Sequence, residues 1–242
     1  MKKENPISIW VGNLHLYNEG KLEGRWLDLP MKDEKLDAAL AEISRDGQHE
    51  IMIFDKESRE DCSAICDKIG EYERIHEVNL VAKLLGNEPH PAAETYIEYS
   101  GALSMSEIAN LIYKEEEIPY YEYDFEGVQD KNSFYLMPNE TKLGYTMIEQ
   151  NTELKKILEN TQVNGTSLYA YVDVNGIGRD AVLNGYVAVA EYGYLECSVE
   201  GLKLDAYTVE EINQELKEEE KRQELAEKLK GVDEPKQVAP KL

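Results

Sequence analysis

The sequence predicts an α+β fold: an elongated protein with three small domains in a row (α+β, helical, α+β) and a C-terminal helical tail. Three observations carry this expectation. Short strand-like stretches occupy both ends of residues 1–205, apolar spacings of three and four fill the middle, and after Tyr207 the apolar stripe thins while charge persists.

The first domain, 1–69, opens with the β-type run ISIWVGN, then the turn-rich YNEGKLEG and a second short strand in RWLDLP. A helix starts between Pro30 and Asp33 and is carried by Leu36, Ala39, Leu40 and Ile43; a third strand follows over Glu50–Asp55. From Glu71 the pattern turns helical, with Ile75, Val78, Leu80, Val81, Leu84 and Leu85 in one stripe, stopped by Gly86, Pro89 and Pro91. Further helices are expected in AAETYIEYS and SMSEIANLIY, where Ser104 or Ser106 is a candidate N-cap and Glu107 completes a capping box with Ser104. These make a helical domain over 70–114.

The third domain, 115–205, begins with a strand over Ile118–Phe125 and continues through the helical LGYTMIEQNTELKKILENT. Two β-rich pieces, SLYAYVDV and NGYVAVAEYGYLECSV, close it. In the tail, 206–242, Thr208 is a candidate N-cap with Glu211 at the capping-box position. Its apolar residues are only Ile212, Leu216, Leu225, Ala226 and Leu229, so an exposed or partner-dependent helix is expected, with disorder from Gly231.

Charge is the compositional outlier. The 242 residues hold 49 acids and 26 bases, a net charge of −23, which argues against direct binding to nucleic acid. Residues 94–127 carry −8 of it, from nine acids (Glu94, Glu98, Glu107, Glu115, Glu116, Glu117, Glu122, Asp124, Glu126) and one base, Lys114. Solubility alone would not focus charge so tightly. In a strand, Glu122, Asp124 and Glu126 share one parity at a spacing of roughly 6.6–6.8 Å, while Tyr121, Tyr123 and Phe125 share the other. With one lysine nearby, such carboxylates are solvated or meet a basic partner.

Catalytic and metal chemistry find little support. Cys62, Cys66 and Cys197 are too few for a disulfide framework, and Cys62, Cys66 and His76 lack zinc-site spacing. DVNGIGRD departs from a calcium loop at Ile177 and Asn184. A carboxylate-pair hydrolase lacks the Arg, His or Trp that would raise one pKa. No nucleotide, serine-hydrolase or zinc-protease motif occurs, so no catalytic residue, cofactor or metal is expected. MKKENPISIW shows no signal-peptide apolar stretch, and no apolar run reaches about 18 residues, so a cytoplasmic protein is expected.

Several stretches carry a family resemblance. IWVGNLHLYNEGKLEGRWLDLP, with Tyr17, Asn18, Glu19, Gly20, Gly24 and Trp26, resembles the opening of ArdA-type antirestriction proteins. IGEYERIHEVNLVAKLL, with Glu71, Tyr72, Ile75, Glu77 and Asn79, resembles a helix entry of that family, and IPYYEYDFEG is similar to a later segment. In YAYVDVNGIGRDAVLNGYVAV, Tyr171, Asp173, Gly178, Arg179 and Asp180 match a further element, whereas Val172, Asn175 and Ile177 depart from it. The likeness covers about 7–197 and leaves the tail outside.

The resemblance implies a three-domain protein, often dimeric through the third domain, that imitates bent B-DNA and occupies the DNA groove of type I restriction–modification enzymes. The nine acids would then be the partner-binding surface, and Tyr171, Asp173, Gly178, Arg179 and Asp180 a structural or dimer element. Two other readings use the same charge: an inhibitor of a different nucleic-acid-binding defence complex, such as a CRISPR effector, and an acidic scaffold for basic proteins.

Overall fold

The computed structural model describes residues 5–101, 103–124, 133–134, 136–197, 204 and 206–230. In strand β1 (Ile7–Asn13), Ile7, Ile9 and Val11 point to the core, as period-two alternation requires. β1 pairs antiparallel with β2 (Gly24–Leu29) on one side and β3 (Ile51–Ser58) on the other. Between β1 and β2 the turn-rich stretch contains a short helix, α1 (Leu14–Asn18), which the sequence pattern did not reveal. Asn13 starts it: its Oδ1 accepts the Leu16 N–H at 3.1 Å, and its Nδ2 donates to the Ile43 carbonyl at 2.7 Å. The second contact ties the sheet to α2 (Asp33–Ser44), whose Leu36, Ala39 and Ile43 cover it.

The opposite sheet face is aromatic. A Cβ on Gly12 would stand 2.5 Å from the Trp10 ring, and one on Gly24 2.8 Å from the same indole, so glycine alone leaves room for it. Phe54 meets Trp10 edge to face at 5.3 Å, Tyr17 lies 4.9 Å from Phe54, and Trp26 stands opposite Trp10 across the strands.

Four helices follow: α3 (Ser63–Asp67), α4 (Ile75–Leu85), α5 (Pro91–Ser100) and α6 (Met105–Tyr113). The expected capping box forms at α6, with Ser104 Oγ accepting the Glu107 N–H and Glu107 accepting the Ser104 N–H at 2.8 Å. One apolar cluster runs from Ile7, Leu36 and Ile65 through Leu80, Ile97 and Ile108 to Ile118, crossing the boundary expected after Ile69. Each such side chain contributes about 1.5–3 kcal/mol when fully buried.

The later part is mixed α+β with small sheets. β4 (Tyr120–Glu122) is an edge strand on a hairpin, in the order β4-β8-β7, and a separate two-stranded hairpin joins β5 (Gln162–Val163) to β6 (Thr166–Ser167). Helices α7 (Asn139–Gln150) and α9 (Val174–Leu183) pack against β7 (Val187–Val189), which pairs with β8 (Gly193–Glu196), and α8 (Thr152–Asn160) packs on α7 and β6. Asn151 divides the expected long helical stretch by accepting the Leu154 N–H at 3.0 Å as the cap of α8. Backbones of α7 and α9 touch: a Cβ on Gly178 would lie 1.8 Å from the Glu140 carbonyl oxygen, and one on Gly144 2.0 Å from that of Val174. Buried side chains form two further clusters, one around Tyr123, Phe134, Leu143 and Tyr194, the other around Ile148, Leu158 and Val174, while Leu195 joins the main cluster.

Three expectations are corrected. The strand over Ile118–Phe125 is only Tyr120–Glu122, because its partner β8 turns away at Gly193; Phe125 lies outside the described residues. SLYAYVDV is not a strand beyond Thr166–Ser167: Leu168–Tyr171 is a 3₁₀ turn, and Asp173 Oδ1 accepts the Gly176 N–H at 2.9 Å to begin α9. The third correction concerns the tail. α10 (Val209–Lys230) forms with the Thr208–Glu211 capping box, but its first half is docked rather than exposed. Ile212 is fully buried in the main cluster, with Tyr207, Val209 and Leu216 packed beside it. The Tyr207 N–H donates to Asn110 Oδ1 at 3.0 Å, Tyr113 donates to Glu215, and Lys217 pairs with Asp33 at 3.2 Å. Residues from Gly231 onward lie outside the described set. Among the described residues no helix is long and apolar enough to cross a membrane.

Candidate acidic interaction surface

The acidic stretch divides into carboxylates that hold the fold and carboxylates that face solvent. Glu94 belongs to the first group, which corrects its expected place on an open surface. It is half-buried on α5 and reaches the start of α3, accepting the Ala64 N–H at 3.1 Å and the Ile65 N–H at 3.4 Å. Burial pushes its pKa up to about 7, against the opposing effect of those two hydrogen bonds.

Glu115 does the same for α5. Its Oε1 accepts the Ala92 and Ala93 N–H groups at 3.0 and 3.2 Å, satisfying donors that a helix N-terminus leaves open. Its Oε2 meets His90 Nδ1 at 2.5 Å, while His90 Nε2 faces the Leu85 carbonyl at 3.2 Å. Both partners of the imidazole are acceptors, an arrangement that favours the ring carrying both protons. Burial opposes that charge, but the Glu115 hydrogen bond and charge outweigh it and raise the His90 pKa. Glu107 is exposed yet committed to the α6 cap, and its pKa is lowered by the Ser104 N–H and hydroxyl.

The second group keeps its charge outward. Glu98 on α5, Glu116 in the 3₁₀ turn Glu115–Glu117 and Glu122 at the end of β4 are exposed and make no hydrogen bond or ion pair among the described residues. Glu117 pairs with Lys114 at 2.9 Å, which uses the only base of the stretch. Asp124 is half-buried, with its N–H donating to Thr146 Oγ1 at 3.0 Å, and Glu126 lies outside the described residues.

The aromatic parity is also mixed. Tyr123 is 3% exposed, its hydroxyl donates to the Ala190 carbonyl at 2.8 Å, and burial raises its pKa. Tyr121 is 45% exposed because the three-residue ladder offers its ring only Tyr194, at 5.6 Å.

The later element is dispersed by function. Gly178 is the close contact of α7 with α9, and Asp173 is the cap of α9. The side chains of Tyr171, Arg179 and Asp180 are exposed, and Arg179 and Asp180, adjacent on one helix, do not face each other. Cys62 and Cys66 are core residues, the Cys62 thiol raised to about 12 by burial, while His76 lies on the surface beside Asp37 at 3.2 Å.

Sequence reasoning missed a cleft where α5 meets the β7–β8 turn, joining Glu94 and Glu98 to Asp61 and Glu191 from distant parts of the chain. No local signal links the Glu94–Glu98 turn to Asp61 or Glu191, which lie more than 30 residues away and meet it only through packing.

A family model described as "Antirestriction protein (ArdA)" matches residues 9–196. No curated protein matches the chain.

Proposed function

The chain belongs to the ArdA family of antirestriction proteins, and from that premise we propose that it inhibits type I restriction–modification enzymes by occupying their DNA-binding groove in place of DNA. The observation that carries this reading is the outward set Glu98, Glu116 and Glu122, held on regular elements in a stretch whose one lysine, Lys114, already pairs with Glu117. Duplex DNA presents about one charge per 1.7 Å of axis, so the groove that grips it is basic. Carboxylates in fixed positions fill such a groove without the cost of bending a duplex, and the field of a chain with net charge −23 accelerates encounter. Glu94, Glu107 and Glu115 serve this reading indirectly. They lock the helices that present the exposed charges.

Inhibition on this reading is stoichiometric and needs no catalytic group, and the protein works in the cytoplasm where the enzyme meets DNA. Its three structural segments lie along an elongated body, and a homodimer forms through the last of them. The exposed Tyr171, Leu183 and Tyr186 support that interface. The test is a titration of a type I enzyme on labelled DNA. DNA binding should fall to zero near one inhibitor per site and recover as salt is raised. Inhibition at a small fraction of the enzyme concentration, with turnover, overturns the reading.

A further inference from the structure

The cleft between α5 and the β7–β8 turn has a volume of about 300 Å³ and joins two kinds of wall. Pro89, Pro91, Val189 and Ala190 give it an apolar floor beside the rings of Tyr120 and Tyr192. Glu98 and Glu191 in its lining are exposed, and Asp61 and Glu94 are half-buried.

Among the described residues, the cations beside the cleft are already engaged. Arg59 binds Asp61 through two nitrogens and donates to the Gly86 and Glu88 carbonyls. His90 is held between Glu115 and the Leu85 carbonyl. Lys142, buried behind the turn, donates to Asn139 Oδ1 and to the Glu191 backbone carbonyl, not to a carboxylate. The side chains of Glu98 and Glu191 make no hydrogen bond or ion pair among the described residues. One polar atom of a lining residue is also unsatisfied: the Tyr120 hydroxyl is buried and has no hydrogen-bond partner among the described residues. A buried hydroxyl without a partner is uncommon in native proteins.

We propose that this cleft receives an arginine side chain of the basic protein partner, its aliphatic stem on the Pro89–Pro91–Val189 floor and its guanidinium between Glu98 and Glu191. The inference rests on the reading of a DNA-binding protein as the target. The occupant is cationic because the two exposed carboxylates make no ion pair among the described residues, and it carries an apolar stem because the floor is apolar. Arginine fits better than lysine for three reasons. Its planar fork engages two carboxylates at once, it stacks on tyrosine faces, and it is more weakly hydrated than an ammonium.

The test uses the isotope-labelled full chain and two neutral-capped probes, N-acetyl-arginine methylamide and its lysine counterpart, followed by amide NMR. The arginine probe should shift the amides of Glu98, Glu191 and Tyr192 saturably, and the lysine probe should bind at least about threefold more weakly. Glu98→Gln with Glu191→Gln should weaken arginine binding about tenfold while leaving the remaining spectrum in place. Equal binding of both probes, no saturable shift at the cleft, or an unchanged arginine affinity in the double variant overturns the proposal. Displacement of DNA from a type I enzyme is measured in parallel. Its failure with arginine binding intact refutes the inhibitory reading, whereas intact displacement without arginine binding refutes only the pocket.

Discussion

Residues 7–118 gather their apolar side chains into one continuous cluster, from Ile7 to Ile118, and α10 adds Ile212 to it. Residues 120–197 lend Leu195 to that cluster, with Tyr120 and Ala188 packed beside it, and divide the rest of their buried side chains between a cluster around Tyr123 and Tyr194 and another around Ile148 and Val174. The earlier part uses aliphatic volume, with Ile, Leu and Val on helices covering a sheet. The later part relies on close backbone approach, with Gly144 and Gly178 letting α7 and α9 touch, and on rings such as Tyr123 and Phe134 at 6.4 Å. The difference teaches where each half is vulnerable. A large core spreads the loss of one side chain over many neighbours, whereas a glycine contact tolerates no added atom.

The largest expected effect tests whether the tail truly belongs to the first part. Ending the chain after Asp205 removes Ile212, Tyr207 and Leu216 from the cluster. Ile212→Ala alone should cost about 2–5 kcal/mol, and the truncation more, read as a lower denaturation midpoint of the early part. A truncated chain with unchanged stability would show that α10 is dispensable and that the two halves differ less than described.

Gly178→Ala sharpens the other side. The methyl group would meet the Glu140 carbonyl oxygen at 1.8 Å, so α7 and α9 must separate, at about 1–3 kcal/mol or somewhat above. Hydrogen exchange should quicken in α7, α9 and the β7–β8 hairpin while β1–β3 and α4 stay protected. Uniform acceleration across the chain would mean that the halves unfold as one unit.

A smaller effect follows pH and should belong to the early part alone. Glu94 holds its proton more tightly when folded, at about 7 against an ordinary 4.5, so folding gains as pH falls through that window. His90, raised above its ordinary 6.5, contributes stability that is complete below that value and is lost as pH climbs through its folded pKa. The opposing carboxylate, Asp61, is lowered by its hydrogen bond to Arg59, and its contribution fails only in acid below its ordinary 3.8. The early part should therefore melt a few degrees higher at pH 6 than at pH 8, since about 1 kcal/mol moves a chain of this size by about 2–4 °C. Glu94→Gln should flatten the slope. An unchanged slope in that variant would remove Glu94 from the account.

The smallest effects concern exposed charge. Glu98→Gln, Glu116→Gln and Glu122→Gln should each weaken target binding by about 0–1 kcal/mol, and the triple variant should also reduce the salt dependence of association. Glu115→Gln should differ in kind, loosening the start of α5 before it touches binding. Equal behaviour of Glu115 and Glu116 variants would erase the division between capping and displayed carboxylates.

Much of the early part was legible because its signals are local. The alternation of Ile7, Ile9 and Val11, the stripe from Ile75 to Leu85 and the Ser104–Glu107 box each lie within a few residues. What escaped depends on distance. Glu94 finds Ala64 and Ile65 thirty residues back, and Glu115 finds Ala92, so composition registers both as free charge. The tail shows only a thin stripe, yet Ile212 and Leu216 suffice because α4 and α6 leave a matching face. In YAYVDV, β-branched and aromatic residues favour a strand, but the Asp173 cap and the Gly178 contact win. Of the acidic surface, the sequence showed where the charge concentrates but not which carboxylates stay outward.

The glycine floor beneath Trp10 has an optical consequence. The chain has two tryptophans, and both stand on the outer face of the β2-β1-β3 sheet, Trp10 over Gly12 and Gly24 and Trp26 across from it. Tryptophan emission therefore reports the environment of this one sheet and carries no signal from α7, α9 or the β7–β8 hairpin. A denaturation curve followed by that emission would look like a single transition even if the tyrosine-rich part had already come apart, and only tyrosine absorbance or circular dichroism would bring the missing step to light.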